Sequence, residues 1–327
     1  MNIKKAKFDV SGIGSALLDF MVQVDEDFLN KLGLKKGEMH LIDEESSREI
    51  FSLIKGMKID TAPGGSSANT VAGVSTLGGK GAFIGRVADD NYGRVYIEKT
   101  TQSGVHSLIS AGDGLTGHAI TFITPDSERT FATHLGAALR LSHEDVDYSA
   151  VADSSILHLE GYLFEPENLR EICYRGMDAA RENGTLISVD LADPGLISRI
   201  GDTFHDVLEN YADIVFMNEE EAYAFTGSRE RDALEKIPER CSIAIVKLGA
   251  KGSIIRSNGG LTDIPSYKAD LVNTNGAGDM YAAGLLYGIT SGRDIETSGK
   301  IGSYAASIVV SSTGARAEKA IDLGVII

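Results

Sequence analysis

Asn273-Thr-Asn-Gly-Ala-Gly-Asp279 runs without a break into Met280-Tyr-Ala-Ala-Gly-Leu-Leu-Tyr-Gly-Ile289. Ala282, Leu286 and Ile289 recur at helical spacing, which predicts a core-facing helix with Asp279 in its first turn. Small residues ahead of a helix leave backbone N–H groups uncovered. Together with the positive end of the helix dipole, those groups make a seat for an anion. A carboxylate held beside such a seat can accept a proton from a hydroxyl attacking phosphorus. The plainer reading of the same residues is a Gly276/Gly278 turn with Asp279 as a helix cap, so the rest of the chain decides between the two.

Upstream, apolar strands are expected at Ser155–Leu159, Leu186–Leu191, Ile214–Met217 and Ile243–Val246, separated by helical stretches. That alternation predicts βαβ units and a parallel sheet, which binds ligands at the carboxyl ends of its strands. Three of those ends carry polar residues: Glu160-Gly-Tyr162, Asp190 and Asn218. Asn218 and Glu221 lie one turn apart on the same side of a helix start. Lys247-Leu-Gly-Ala-Lys-Gly252 is a further turn between strands.

Near the amino end, Phe8–Gly14 reads as a first buried strand, followed by Ser15–Asp19. Gly12 and Gly14 suggest a dinucleotide fingerprint, but Leu17 stands where its third glycine belongs, so an NAD(P)-binding oxidoreductase is a weak alternative. The stretch Asp25–Asp60 has no crisp period and is expected to be helix and irregular connection. Pro63-Gly-Gly-Ser-Ser-Ala-Asn69 is a glycine loop before a helix that stops at Gly78-Gly79. Glycines there admit close approach of a ligand, and Asn69 offers a diol both a donor and an acceptor. Gly81–Gly93 is expected as a strand and turn, with Arg86 and Asp89 in a structural ion pair. His118–Thr124 and Glu128–His134, around Pro125-Asp126-Ser127, form a hairpin with too little alternating apolar surface for two core strands. A small sheet lying over a site fits that pattern better.

A chain of 327 residues, 43% hydrophobic and 24% charged, can bury a sizeable core as one large α/β unit. No apolar run approaches a membrane span, and the amino terminus lacks the core of a signal peptide, so a cytoplasmic protein is expected. A net charge of −16 with no basic run opposes nucleic acid and anionic membrane as partners. Cys173 and Cys241 are far apart in sequence, with no metal-ligand spacing, and read as reduced structural thiols. No Gly-x-x-x-x-Gly-Lys-Ser/Thr string occurs, which disfavours a Walker-type kinase.

Gly276-Ala-Gly-Asp279 closely resembles a signature of the ribokinase-like, or phosphofructokinase B type, family of carbohydrate and nucleoside kinases, and Pro63–Asn69 resembles that family's first signature. The resemblance runs from Gly12 to Gly314. It implies a three-layer α/β/α sandwich with a mostly parallel central sheet, a single catalytic domain over residues 1–327, and a small β-sheet lid from about 16–63 and 113–136. It implies Asp279 as catalytic base, Gly276, Ala277 and Gly278 as the hole for the γ-phosphate of ATP, and Arg129 as a phosphate contact. Asp19, Gly64, Gly65, Asn69 and Tyr162 would then meet the substrate. Asn218, Lys247, Gly249, Gly252 and Gly314 would lie around ATP, with Ser311–Arg316 closing the adenine pocket. Glu221 would organise Mg2+ through water, an ion that takes few direct protein ligands.

The Glu128-Arg-Thr, Glu160-Gly-Tyr and Asn218-Glu-Glu-Glu-Ala strings are most similar to adenosine-kinase-like members, which favours a nucleoside, adenosine first, over a free sugar such as ribose or fructose. A monomer or homodimer is expected. A non-catalytic nucleotide sensor is the alternative of another class, disfavoured by the retained Asp279. One departure stands out: many relatives carry a carboxylate where this chain has Asn273, and in several it helps bind K+, so weak or absent K+ activation is expected here.

Overall fold

The computed structural model describes residues 3–126, 128–258, 260–317 and 319–326. Ser127, at the tip of the expected hairpin turn, lies outside the described residues. A nine-stranded sheet is built from β1 (Phe8–Ile13), β5 (Gly81–Ala88), β6 (His106–Gly112), β9 (Ser154–Glu160), β10 (Leu186–Asp190), β11 (Ile214–Asn218), β12 (Ile243–Lys247), β13 (Ser253–Ser257) and β14 (Gly260–Ile264). Its order is β14-β13-β12-β11-β10-β9-β1-β5-β6, with only the β12/β13 and β13/β14 pairs antiparallel. Near-continuous apolar runs such as Ile-Val-Phe-Met in β11 suit strands covered on both faces.

Helices supply that cover. α3 (Ser66–Thr76), α4 (Asn91–Gln102), α10 (Ala277–Thr290) and α11 (Ile295–Val310) pack one face, around Val71, Phe83, Tyr96, Phe216, Met280 and Leu286. α5 (Tyr148–Ala152), α6 (Glu167–Glu182), α7 (Pro194–Asn210), α8 (Glu219–Thr226) and α9 (Glu230–Glu235) pack the other, around Leu157, Phe164, Phe204 and Met217. The result is the expected α/β/α sandwich.

A second, five-stranded sheet has the order β3-β8-β7-β2-β4. It comprises β2 (Leu17–Gln23), β3 (Met39–Leu41), β4 (Ile59–Gly64), β7 (His118–Ile123) and β8 (Arg129–His134), with α1 (Glu26–Lys31) and α2 (Glu44–Leu53) against it. Three expectations are corrected. The stretch 25–60 is not only helix and irregular chain, because it contains β3 and the start of β4. Both are short or polar enough to show no period. The hairpin does carry core strands: Ile120, Phe122 and Ala132 are buried beside Leu18, Phe20, Val22 and Ile50. His118 and Thr130 fill the other buried positions of that face, and their polarity hid the alternation in the sequence. Arg86 and Asp89 also do not pair with each other. Arg86 reaches Asp145, while Asp89 pairs with Arg94 in the first turn of α4.

The central sheet has its switch point between β1 and β9. From β1 the sheet grows through β5 to β6, and from β9 it grows the other way. In such sheets the crevice outside the strands' carboxyl ends at this point binds ligands. Here the chain also leaves the central sheet between β1 and β2 and returns between β4 and α3, so the small sheet is tethered over that crevice.

Candidate active site

The crevice is shaped first by backbone. Gly276, at φ +75°, caps α10 in the left-handed region, and a Cβ there would run into the carbonyl oxygen of Ala315. Gly65, at φ +92°, precedes α3, and a Cβ there would run into the carbonyl oxygen of Ser15. Both positions need glycine for conformation and for close approach. The two helices therefore bring their amino ends to one place, with α3 and α10 in direct contact: a Cβ on Gly73 would lie 2.6 Å from the Cβ of Ala283.

Asp279 lies where they meet. Its Oδ1 accepts from Ser66 Oγ at 2.7 Å and its Oδ2 from Asn69 Nδ2 at 2.9 Å, while Thr70 Oγ1 donates to its backbone carbonyl at 3.2 Å. Burial pushes its carboxyl up to about 6, against the pull of the Asn69 and Ser66 hydrogen bonds. A carboxylate tuned toward neutrality, yet kept aimed by two donors, suits a general base.

Asp19 projects from β2 so that its carboxylate oxygens stand 2.7 and 2.8 Å from where a Cβ on Gly64 would be. Any residue larger than glycine would displace it. Burial raises the Asp19 carboxyl to about 7; Arg316 opposes that shift and Asp279 adds to it. Glu160, at the end of β9 and buried, accepts from the backbone N–H of Ser15 at 2.9 Å and of Ser67 at 2.8 Å. One carboxylate thus ties the exit from β1 to the first turn of α3.

On the far side of Asp279, Lys247 Nζ is 2.9 Å from Asp190 Oδ2 and 3.0 Å from where a Cβ on Gly278 would be. Its ammonium sits against the first turn of α10, a fixed positive charge beside the anion seat in a strongly acidic chain. Asn218 and Glu221 form a reciprocal capping box at the start of α8, with Glu221 N donating to Asn218 Oδ1 at 2.8 Å and Asn218 N to Glu221 Oε2 at 2.7 Å. Burial raises the Glu221 carboxyl to about 7; Lys247 lowers it, while Asp190 and Asp193 crowd it further upward. Among the described residues no group of three or more His, Cys, Asp or Glu forms a metal cage.

Other expected residues are placed less centrally. Gly249 and Gly252 adopt φ +56° and +95° in the turn from β12 to β13, where Gly252 must pass the carbonyl of Ile264. Gly314 lies in the loop after α11. Arg129, on β8, donates from Nη2 to the Thr313 carbonyl at 3.4 Å. Tyr162 follows β9 and is 40% exposed; burial pushes its phenol upward, and Asp193, Glu160, Asp190 and Glu221 add to the rise.

Arg316, expected within the Ser311–Arg316 segment around adenine, donates from Nε to Asn69 Oδ1 at 2.8 Å and from Nη2 to the Gly64 carbonyl at 3.2 Å. The reading had also missed Ser66 as a partner of Asp279 and Lys247 as a partner of Asp190. A hydroxyl in the first turn of a glycine-entered helix was a fair signal for Ser66. Arg316, separated from Asn69 by 247 positions, gave none.

The family profile described as pfkB family carbohydrate kinase matches residues 29–321. The solved structure of adenosine kinase from Sinorhizobium meliloti is 35% identical, with a TM-score of 0.88, covering 96% of this chain and 97% of that one. A probable sugar kinase from Rhizobium etli is 34% identical with a TM-score of 0.88, covering 96% of each chain. The 5-dehydro-2-deoxygluconokinase of Geobacillus kaustophilus is 31% identical over 264 residues, 76% of this chain and 79% of that protein.

Proposed function

This chain belongs to the pfkB family of carbohydrate kinases, and from that premise we propose that it transfers the γ-phosphoryl group of ATP to a primary hydroxyl of a nucleoside, adenosine first. The observation that carries the reading is the pairing of two half-buried carboxylates at one crevice: Asp279 at the mouth of the anion seat and Asp19 set back over Gly64. Two acids with separate surroundings can take separate tasks, one orienting and one accepting a proton.

In this reading Asp19 accepts hydrogen bonds from a vicinal diol lying on Gly64 and Gly65. That places the substrate's CH2OH against Asp279. As the hydroxyl oxygen bonds to the γ-phosphorus and the bond to the ADP oxygen breaks, Asp279 takes the hydroxyl proton. The N–H groups of Gly276 to Gly278, with Lys247 behind them and with Arg129, neutralise charge on the phosphoryl oxygens. Asn218 and Glu221 would hold the waters of a Mg2+ ion, which supplies charge neutralisation on the nucleotide phosphates when bound. Asn218, Gly249, Gly252 and Gly314 lie around the nucleotide. The small sheet excludes water from the transfer. The protein works in the cytoplasm as a monomer or homodimer.

The nucleoside is favoured by the 35% identity to an adenosine kinase over nearly the whole chain. A sugar kinase is the second reading, favoured by the 31% identity to 5-dehydro-2-deoxygluconokinase. ADP release from the purified protein against a panel of nucleosides and free sugars separates them. Turnover of adenosine above the sugars is expected; turnover of free sugars and of no nucleoside would overturn the nucleoside assignment.

A further inference from the structure

The segment 313–316 touches β8, the loop before α10 and the junction of β4 with α3. The Thr313 carbonyl accepts from Asn273 Nδ2 at 3.0 Å and from Arg129 Nη2, Ala315 backs onto Gly276, and Arg316 crosses to Gly64 and Asn69. Its last contact has a chemical consequence. A carboxamide has two ends of nearly the same shape and opposite hydrogen-bonding character. With Asn69 Oδ1 on Arg316 Nε, the amide N–H points at Asp279 Oδ2. Rotated by half a turn, the same side chain would set N–H against a guanidinium N–H and its carbonyl oxygen against a carboxylate, so two bonds would become two repulsions.

We propose that Arg316 is a positioning residue for the catalytic base: by fixing which way the Asn69 carboxamide faces, it keeps a donor on the Asp279 carboxylate and holds that carboxylate in line for the attacking hydroxyl. The proposal rests on the kinase reading above. Arginine suits the task because it carries only donors and does not lose its proton. It is itself clamped, since the Gly64 carbonyl that receives Nη2 also receives the Tyr96 hydroxyl at 2.8 Å. The chain of contacts Arg316–Asn69–Asp279 joins the end of the sequence, the substrate loop and the anion loop. The charged groups around Asp279 are Asp19 from β2, Glu160 from β9, Asp190 from β10, Lys247 from β12 and Arg316 itself. The Asn69 bond is among the influences that hold its carboxyl down. Losing the bond raises the pH at which the base becomes available.

The test compares Arg316→Met, which keeps the stem but no donor, with Arg316→Lys, which keeps one donor and the charge. In Arg316→Met, kcat is expected to fall by about 10- to 100-fold, the scale of a misplaced catalytic group. KM for ATP should change little, the acid limb of the kcat–pH profile should move to higher pH, and Arg316→Lys should recover part of both. A second measurement needs no turnover. The 13C carboxyl titration of Asp279, assigned by its loss in Asp279→Asn, should have a higher midpoint in Arg316→Met than in wild type. A folded Arg316→Met protein with wild-type kcat and an unmoved Asp279 titration would overturn the proposal. So would a loss confined to KM, or one matched by the fall in melting temperature. Should no substrate be phosphorylated by wild type, the kinase reading fails, while the carboxyl titration still decides whether Arg316 governs Asp279.

Discussion

The proposed phosphate end of the crevice is one run of consecutive residues, Asn273 to Asp279, whereas the proposed substrate end draws Asp19 from β2, Gly64 and Asn69 from either side of the β4–α3 junction, and Arg316 from beyond α11. In the first, the chain's own turn makes the site: a left-handed glycine, uncovered N–H groups and a carboxylate one turn in. In the second, each residue is ordinary where it stands and gains meaning only when folding brings it beside the others. A local site has few ways to be altered without being lost. An assembled one can change a side chain and keep its frame.

Breaking the local end is expected to have the larger effect. Gly276→Ala forces an L residue to φ +75°, at about 1–2 kcal/mol, and drives its Cβ at the Ala315 carbonyl. The anion seat then shifts, and kcat should drop by about 10²-fold or more, as when donors to a developing anion are lost. KM for the phosphate acceptor should move far less. Steady-state kinetics with a melting curve checks this, and equal losses in both parameters would erase the distinction between the ends.

Asp19→Asn sharpens the other side of the comparison. A hydrogen bond to a charged group contributes about 1.5–3 kcal/mol, so KM for the acceptor should rise by about 10- to 100-fold, with a smaller change in kcat. Because burial puts the Asp19 carboxyl at about 7, protonation below that pH removes its charge and weakens it as an acceptor. The acceptor KM of wild type should therefore climb as pH falls through about 7, and Asp19→Asn should flatten that climb. A KM independent of pH in wild type would take Asp19 out of substrate binding.

The smallest expected effect is an absence. Asn273 Nδ2 donates to the Thr313 carbonyl and its Oδ1 accepts from Asn275 N at 2.9 Å, so the amide closes the loop with neutral partners. Replacing Na+ by K+ at constant ionic strength should give no large saturable gain in rate. Such a gain would mean that a cation seat survives without the carboxylate.

The same contrast explains what could be read in the sequence. The strands from Ser154 to Lys247 were visible because parallel strands buried on both faces are unbroken apolar runs, and α10 because its glycine entry and helical spacing are adjacent. The edge strand Met39–Leu41 was not, since two of its three residues are exposed and nothing alternates. Thr121 and Thr133 are buried in the small sheet, a place the residue type does not announce. Asp19, Gly65 and Asn69 could be placed only through the resemblance of their loops to a family signature. Ser66, Lys247–Asp190 and Arg316 depend on which segments fold together. Arg316 is the extreme case, expected only as part of a loop around the nucleotide, while its bond to Asn69 beside Asp279 has no sign in the sequence.

The central claim is that Asp279 removes a proton during phosphoryl transfer. Asp279→Asn is nearly isosteric, keeps a polar partner for Ser66 and leaves the Gly276 turn untouched. With ATP affinity measured by direct binding and folding confirmed by melting, kcat should fall by about 10²- to 10⁴-fold while ATP affinity changes far less. A folded Asp279→Asn protein that binds ATP normally and keeps most of its kcat would contradict the account.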